Sequence, residues 1–364
     1  MRILYDGQIY TIQKAGGINR YFANLITKLP ENFTPILTIC ESRELNYPVH
    51  PNLKKFFYKR LGFRPERLSY GLEKYYFRAV TVLNRPHIIH PTYYSLLTRQ
   101  ENSYRCPVVL TVCDMIQERF SEQIGLVGHN AEEKRKAILA AQAIICISEN
   151  TKKDLLERYP LLENRVTVTY LASEIDASIS HGSEPVPHRP YYLYVGSRNS
   201  YKNFDGLLAA FAKATSTRPD IILCVVGPPF SETEEKLIAA LKLTEHIQHY
   251  GYASDRHLAK LYRCSIAFVY PSLYEGFGIP PLEAMSCGTA VVASNCSSIP
   301  EVVGDAGFLF NPNATGDLAD ILLFLLDSPT ERDRLIALGL QRAQMFSWDK
   351  TVAQTLDVYR SVTK

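Results

Sequence analysis

Residues Tyr270–Gly288 read YPSLYEGFGIPPLEAMSCG, and the order of residue types in this run decides how the chain is built. The apolar strand SIAFVYPS ends in Pro-Ser, a loop bearing Gly276 and Gly278 follows, and Pro280 and Pro281 stand where a helix begins. Proline suits a first helical turn, because its missing N–H is one of the donors that lacks an intrahelical partner there. The amides of that turn, with the two glycines, form a concavity suited to phosphate. Two acids sit in the run and cannot reach the same point. Glu283, on the helix beside bound phosphates, is placed to accept both hydroxyls of a ribose, with charge-assisted bonds of ~1.5–3 kcal/mol each. Glu275, on the loop, faces the group beyond the phosphates. An acid near a helix start also balances the macrodipole, and for Glu283 alone that reading stays open. Capping leaves the two glycines and the second acid without a role.

Working outward, the same alternation of strand and helix fills both halves, which is the pattern of parallel sheets covered by helices. In the first half ILYDG, PILTIC, HIIHP, PVVLTVC, AIICIS and RVTVTY read as strands, with helical stretches at Asn19–Leu29, Ala131–Ala141 and Asn150–Tyr159. In the second, YYLYVG, DIILCVVG, IQHYG, SIAFVYP and TAVVAS are separated by helices near 203–214, 232–243, 254–263 and 280–286. The stretch SHGSEPVPHRP has no periodicity and marks a hinge. The expected organisation is a first domain over 1–178, a linker over 179–190, a second domain over 191–345, and a terminal helix over 346–364 able to cross back to the first domain. A length of 364 residues exceeds what one core usually spans. Two such units joined by a linker enclose a cleft, and open parallel sheets bind ligands outside the carboxyl ends of their strands.

A diphosphate needs fixed positive charge. YYLYVGSRNSYKNFDGLLAAF supplies it: a strand ends at Gly196, a loop carries Arg198 and Lys202, and Asn203 opens a helix. Arginine takes phosphate oxygens bidentately and lysine acts as a mobile point charge. The motif is no dinucleotide fingerprint, since GFGIPP lacks the third glycine of Gly-x-Gly-x-x-Gly and no such motif occurs elsewhere.

The run YEGFGIPPLEAMSCGTAVVAS, followed by SSIPEVVGDAGFLFNP, resembles the retaining glycosyltransferases of family four, which have the GT-B fold of two Rossmann-like parallel-sheet domains facing a cleft. Their two glutamates separated by seven residues match Glu275 and Glu283. The resemblance implies that Glu275 contacts the donor sugar, that Glu283 binds the ribose, that the amides from Gly278 and Ile279 onward meet the diphosphate, and that Gly276, Phe277 and Leu282 also belong to the donor site. It further implies that Arg198 and Lys202 hold the diphosphate, that Tyr252 and Ala253 in IQHYGYASDRHL read the base through the backbone, and that Gly16 and Gly17 in KAGGINRYFANL approach the donor from the first domain. A simple turn would use the same glycine pair. His90 and Asp114 end strands and could touch sugar or acceptor hydroxyls, or be ordinary strand-end residues. Many relatives carry His-Asp at the second of these points; here Cys113 replaces the histidine, so no catalytic histidine is assigned.

The remaining features bound the reading. A formal charge of +3 and no recognisable motif argue against nucleic acid. Eight cysteines without Cys-x-x-Cys or zinc spacing read as buried free thiols, and neither a structural nor a catalytic metal is expected. No apolar run is long enough to span a bilayer, and MRILYDGQIY lacks a basic-then-apolar leader, so a cytosolic protein is expected. Residues 51–79 hold eight Lys or Arg against two Glu, interleaved with aromatics. Such a segment suits an anionic membrane surface at the inner face, or a lipid diphosphate acceptor; a solvated basic helix face is the other reading.

The function expected is transfer of a hexose from a nucleoside diphosphate sugar to a hydroxyl of a polysaccharide or lipid-linked glycan, with no cofactor. UDP-glucose or another UDP-hexose is the first choice and GDP-mannose the second, and retention of configuration comes from the resemblance alone. Two rivals share the architecture: a nucleotide-sugar epimerase, which needs further acid/base groups around the sugar, and a nucleotide-sugar-binding subunit without turnover.

Overall fold

A computed structural model describes residues 1–12, 16–40, 47–58, 66–94, 106–120, 129–179 and 183–363. The chain forms two compact units, one of Met1–Leu171 with Trp348–Lys364 and one of Ala172–Ser347. Each is a Rossmann-like layer of parallel strands between helices.

In the first unit β1 (Arg2–Tyr5), β2 (Thr34–Cys40), β3 (Lys54–Tyr58) and β4 (Ile88–Ile89) lie in the order β3-β2-β1-β4, and β5 (Val109–Val112), β6 (Ala143–Cys146) and β7 (Val166–Val168) in the order β5-β6-β7. All pairings are parallel, and a bridge from Ile89 to Val108 carries one set into the other. β5 and β6 are buried along their whole length and β1 from Ile3 onward, as sheets covered on both faces require. Leu4, Ile36, Leu110 and Ile144 from the strands meet Phe77, Ile138 and Leu155 from helices Glu66–Asn84, His129–Ala140 and Glu149–Arg158. The terminal helix Trp348–Val362 belongs to this unit: Thr351 Oγ1 donates to the Tyr170 carbonyl at 2.7 Å, and Tyr5 and Tyr359 hydroxyls meet at 3.0 Å.

The second unit is one six-stranded sheet made of β8 (Tyr191–Val195), β9 (Ile222–Val226), β10 (Ile247–Tyr250), β11 (Ala267–Tyr270), β12 (Val291–Ser294) and β13 (Gly307–Phe310). Its order is β10-β9-β8-β11-β12-β13, parallel throughout. The first strand of the unit thus pairs with its second and its fourth, and the direction of winding reverses between β8 and β11. At such a reversal the loops leaving neighbouring strands diverge to opposite faces and leave a crevice at the carboxyl edge.

The strands and helices expected from the pattern are present, with further elements that include the helix Glu66–Asn84 and two strands. β3 and β13 were not anticipated. β3 is an edge strand that opens on exposed Lys54 and Lys55, so its alternation carries no clean apolar face. β13 is four residues long and only half-buried until Phe310. The boundary between units falls at Leu171/Ala172, ahead of the expected linker, of which residues 180–182 lie outside the described residues. The thiols of Cys106, Cys113, Cys146, Cys224, Cys264, Cys287 and Cys296 are free, but they are not all buried: Cys264 is exposed, and Cys106 and Cys296 are half-buried.

Candidate active site

The site is built at the β8/β11 reversal of the second unit. β8 is followed at once by Gly196, whose φ of 139° favours glycine, and a single 3-10 turn, Ser200–Lys202, leads to helix Phe204–Thr217. Asn203, at the joint, holds a left-handed φ of 52°. β11 leads into the glycine loop, where Gly278 at φ 118° precedes helix Ile279–Ser286. The two loops are tied by the backbone: Leu273 N–H donates to the Tyr201 carbonyl at 2.7 Å.

That tie brings together side chains 73 residues apart. Lys202 Nζ lies 2.7 Å from Glu275 Oε1 and 2.9 Å from Oε2, a bidentate contact whose members are only 16% and 9% exposed. The ammonium also stands over the rings of Tyr201 and Tyr270, at 5.3 and 5.7 Å. Glu275 is held from behind. Its N–H donates to Ser297 Oγ at 2.8 Å, and Ser298 Oγ donates to the carbonyls of Glu275 and Phe277 at 2.9 and 2.8 Å. Ser294 at the end of β12 likewise donates to the Ser272 carbonyl. The loop therefore holds its shape against the segment after β12. That bracing was missed by sequence reasoning, although the serines of SNCSSIP were its signal.

Arg198, expected to hold a diphosphate, is engaged largely by groups of its own unit. Its side chain is 4% exposed, its Nε lies 2.6 Å from Glu234 Oε1, and its Nη2 donates to the carbonyls of Pro228 and Pro229 at 2.9 and 2.7 Å. The guanidinium lies 4.6 Å from the centre of the Phe230 ring. Glu234 also closes a capping box with Ser231 at the start of helix Glu232–Ala240. Burial pushes the Glu234 carboxyl upward, but the Arg198 and Ser231 hydrogen bonds outweigh it and hold the group below the ordinary range. One donor is left over: Arg198 Nη1 is buried and makes no hydrogen bond. It borders Gly227, where a Cβ would come within 3.5 Å of Nη1 and 2.3 Å of the Gly196 carbonyl oxygen. Nothing larger than glycine fits there, so backbone and one guanidinium N–H share a tight concavity. An orphaned charged donor in such a place is costly unless an anion meets it. Burial raises the Tyr194 hydroxyl's pKa, and the hydroxyl donates to the Ser197 carbonyl at 2.6 Å, one residue before Arg198.

Glu283 lies in the second turn of its helix, 7% exposed, and receives the Tyr262 hydroxyl on Oε2 at 3.0 Å. Tyr252 is 86% exposed on the loop after β10, and Ala253 beside it is half-buried; Ser254 then caps helix Asp255–Cys264 through the His257 N–H at 3.2 Å. Phe277 and Leu282 are buried, whereas Ile279 is half-buried at the helix start.

The remaining candidates belong to the first unit. Gly16 precedes helix Gly17–Thr27 and accepts the Arg20 N–H at 3.0 Å; Gly17 is exposed. His90 is a core residue. It has no exposed surface, Nδ1 lies 2.6 Å from the Tyr359 hydroxyl, and Nε2 lies 2.8 Å from Thr111 Oγ1. Burial holds its imidazole down to about 3, so it stays neutral. This is the strand-end reading in place of a sugar or acceptor contact. Asp114 caps the following turn through the Ile116 N–H at 3.0 Å, and burial pushes the neighbouring Cys113 thiol up to about 12. Among the described residues no three or more His, Cys, Asp or Glu side chains stand together as a metal site.

Residues 178–342 match the family model for glycosyl transferases group 1, and residues 15–177 match that for glycosyltransferase family 4. An alpha-maltose-1-phosphate synthase of Mycobacterium tuberculosis is 32% identical over 289 residues, 71% of this chain and 74% of that protein. The chain belongs to glycosyltransferase family four. An O-antigen chain mannosyltransferase B of Escherichia coli is 34% identical over 232 residues, 61% of each chain, so the match spans less than two thirds of that relative. Among solved structures, a sucrose-phosphate synthase from Thermosynechococcus elongatus superposes with a TM-score of 0.77 at 20% identity, covering 99% of this chain and 98% of that one, which identifies the GT-B fold. In this family-four chain the glutamates, cations and glycine loop recognised from sequence all lie in the group 1 half.

Proposed function

We propose that the protein transfers a hexosyl group from a nucleoside diphosphate sugar to a hydroxyl of a glycan or lipid-linked glycan, with retention at the anomeric carbon. The carrying observation is the bidentate Lys202–Glu275 contact at the β8/β11 reversal, with the orphaned Arg198 Nη1 leaving the same strand. A diphosphate there meets the Lys202 ammonium, Arg198 Nη1 and the amides opening helix Ile279–Ser286, while its ribose reaches Glu283. As the bond from the anomeric carbon to the diphosphate oxygen breaks, its electron pair stays on the diphosphate. The acceptor oxygen attacks from the same face and passes its proton to that leaving oxygen. Cations and amides stabilise the developing charge without reorganising, and Glu275 supports the sugar as it gains positive character. The step calls for no cofactor and no metal.

Mannose is the first reading for the sugar, supported by the 34% identity to a mannosyltransferase, which moves the preference from a UDP-hexose to GDP-mannose. Glucose is second, supported by the longer match to a synthase of maltose-1-phosphate. A thermal-shift panel of UDP, GDP and ADP decides between bases, since a ligand that binds the native state alone raises the melting point, by ~2.7 kcal/mol of added stability at a hundredfold excess over Kd. GDP is expected to give the largest shift. No shift from any of the three would overturn the reading. Donor incubated without acceptor should yield no new sugar nucleotide; its appearance would favour an epimerase.

The acceptor is proposed to reside on an anionic membrane surface. Helix Glu66–Asn84 buries Glu73, Phe77 and Val80 on one face yet exposes Leu72, Tyr75, Ala79, Val82 and Leu83, a second apolar stripe at helical spacing. Neighbouring exposed side chains include Lys54, Lys55, Phe57 and Arg78, and Glu73, an acid on the same helix, is turned inward and buried. Residues 59–65 of the basic segment lie outside the described residues. Cations flanking an apolar stripe match anionic headgroups, each contributing about 1 kcal/mol near the surface, whereas a second copy would set like charges together. No described helix is long and apolar enough to cross a membrane, so contact would be peripheral, at the inner face. Phosphatidylglycerol-containing vesicles should sediment the protein and neutral ones should not, and Lys54→Glu/Lys55→Glu/Arg78→Glu should abolish binding. Equal binding to both vesicle types, none to either, or concentration-dependent dimerisation through this face would overturn the assignment.

A further inference from the structure

Tyr262 is fully buried, and its hydroxyl is spent on Glu283. The residue lies in the last turns of helix Asp255–Cys264, its ring set edge-on to Phe268 of β11 at 5.4 Å and 72°, and its hydroxyl donates to Glu283 Oε2 at 3.0 Å. Both partners sit on regular helices that contact each other and reach β11, so neither side chain depends on a loop for its place. A carboxylate that meets two vicinal hydroxyls must present its plane at one angle, yet rotation about Cγ–Cδ is soft, since terminal torsions of this kind are broad. A fixed donor on one oxygen removes that freedom. The alternative is a buried tyrosine that merely needs an acceptor and finds the nearest one.

We infer that Tyr262 is a positioning residue: its hydroxyl sets the rotation of the Glu283 carboxylate and so determines how strongly the site prefers ribose over deoxyribose in the nucleoside diphosphate. This rests on the reading of Glu283 as the ribose acceptor. In chain order the same helix begins at the loop assigned to the base, Tyr252–Ala253, so base and ribose recognition are mechanically joined through one short helix. Tyr262 does not touch the substrate in this scheme. Its effect passes through Glu283, and it should appear in discrimination before it appears in turnover.

The test uses the whole protein and two nucleotide pairs, UDP with 2′-deoxy-UDP and GDP with 2′-deoxy-GDP, titrated calorimetrically. The wild type should bind the ribonucleotide of the better pair at least tenfold more tightly than its deoxy form. Tyr262→Phe keeps the ring and its packing on Phe268, and should weaken the ribonucleotide about tenfold while leaving the deoxynucleotide within about twofold, so that the preference collapses. The donor KM should rise in step, with kcat changed little. Glu283→Gln, which keeps the side chain's shape, should lose the same preference. A Tyr262→Phe protein that retains the full ribose preference while Glu283→Gln loses it would overturn this inference and leave the ribose assignment standing. Loss of affinity for both nucleotides alike would mark Tyr262 as structural and overturn it too. A wild type indifferent to the 2′-hydroxyl would sink the ribose assignment together with the role of Tyr262.

Discussion

Replacing Glu275 with alanine should lower kcat by about 10²–10³-fold while leaving the affinity for nucleoside diphosphate unchanged or slightly tighter. The magnitude is that of removing one preorganised electrostatic group from a site where charge develops in the transition state. The unusual half of the expectation comes from the geometry. In the structure Glu275 takes both oxygens to the Lys202 ammonium, so a diphosphate must compete with that carboxylate for Lys202. Removing Glu275 ends the competition and strengthens ground-state binding, but it also removes the group that supports the sugar as the bond to the diphosphate breaks. Steady-state kinetics with the donor, beside calorimetric titration of the nucleoside diphosphate, separates the two effects. Normal turnover by Glu275→Ala would remove the residue from the mechanism. A loss confined to KM would assign it to binding.

Arg198→Ala should reduce kcat/KM by about 10²–10³-fold and also destabilise the second unit by ~2–3 kcal/mol. The first loss follows from the single guanidinium donor, Nη1, that the fold leaves unsatisfied. The second follows from what the rest of the guanidinium does: it neutralises Glu234 and satisfies the carbonyls of Pro228 and Pro229. Truncation leaves the Glu234 charge without its cation and the two carbonyls without this donor, although Pro228 keeps the His249 ring nitrogen at 3.0 Å, and breaking one side of a buried pair costs more than the pair is worth. Glu234 is 15% exposed and keeps its bond from the Ser231 N–H, which is why the expected cost lies below that of a fully buried pair. The double variant Arg198→Met/Glu234→Gln removes both charges and keeps the volume. It should regain much of the melting temperature without regaining activity. Recovery of activity in that variant would show Arg198 to be a structural residue only.

How far the site was legible depends on how local each signal is. The run from Tyr270 to Gly288 carries its own instructions: an apolar strand, glycines where φ turns positive, and prolines where a helix can accept them. Arg198 and Lys202 were likewise visible as cations leaving a strand, and β3 was hidden because lysines at a sheet edge have no reason to alternate with apolar residues. The partners were another matter. Glu234 and Tyr262 carry no local motif that marks them: the first is one of three acids in the opening turn of its helix, the second one of four buried positions on an amphipathic helix. For His90 the sequence leaves both a hydroxyl contact and an ordinary strand-end role open, and Tyr359 and Thr111 close on both its nitrogens.

Sequence by itself determined the alternation of strands and helices, the glycine loop, and the residue types able to hold a sugar nucleotide, because period, turn chemistry and capping act over a few neighbouring residues. Only the tertiary structure decided which charges face one another. Lys202 meets Glu275 because β8 hydrogen-bonds to β11 across the reversal of the sheet, and Arg198 meets Glu234 because β9 lies on the other side of β8. Strand order is set by how whole helices cover the sheet, a property of the packed unit that no short stretch of residues encodes.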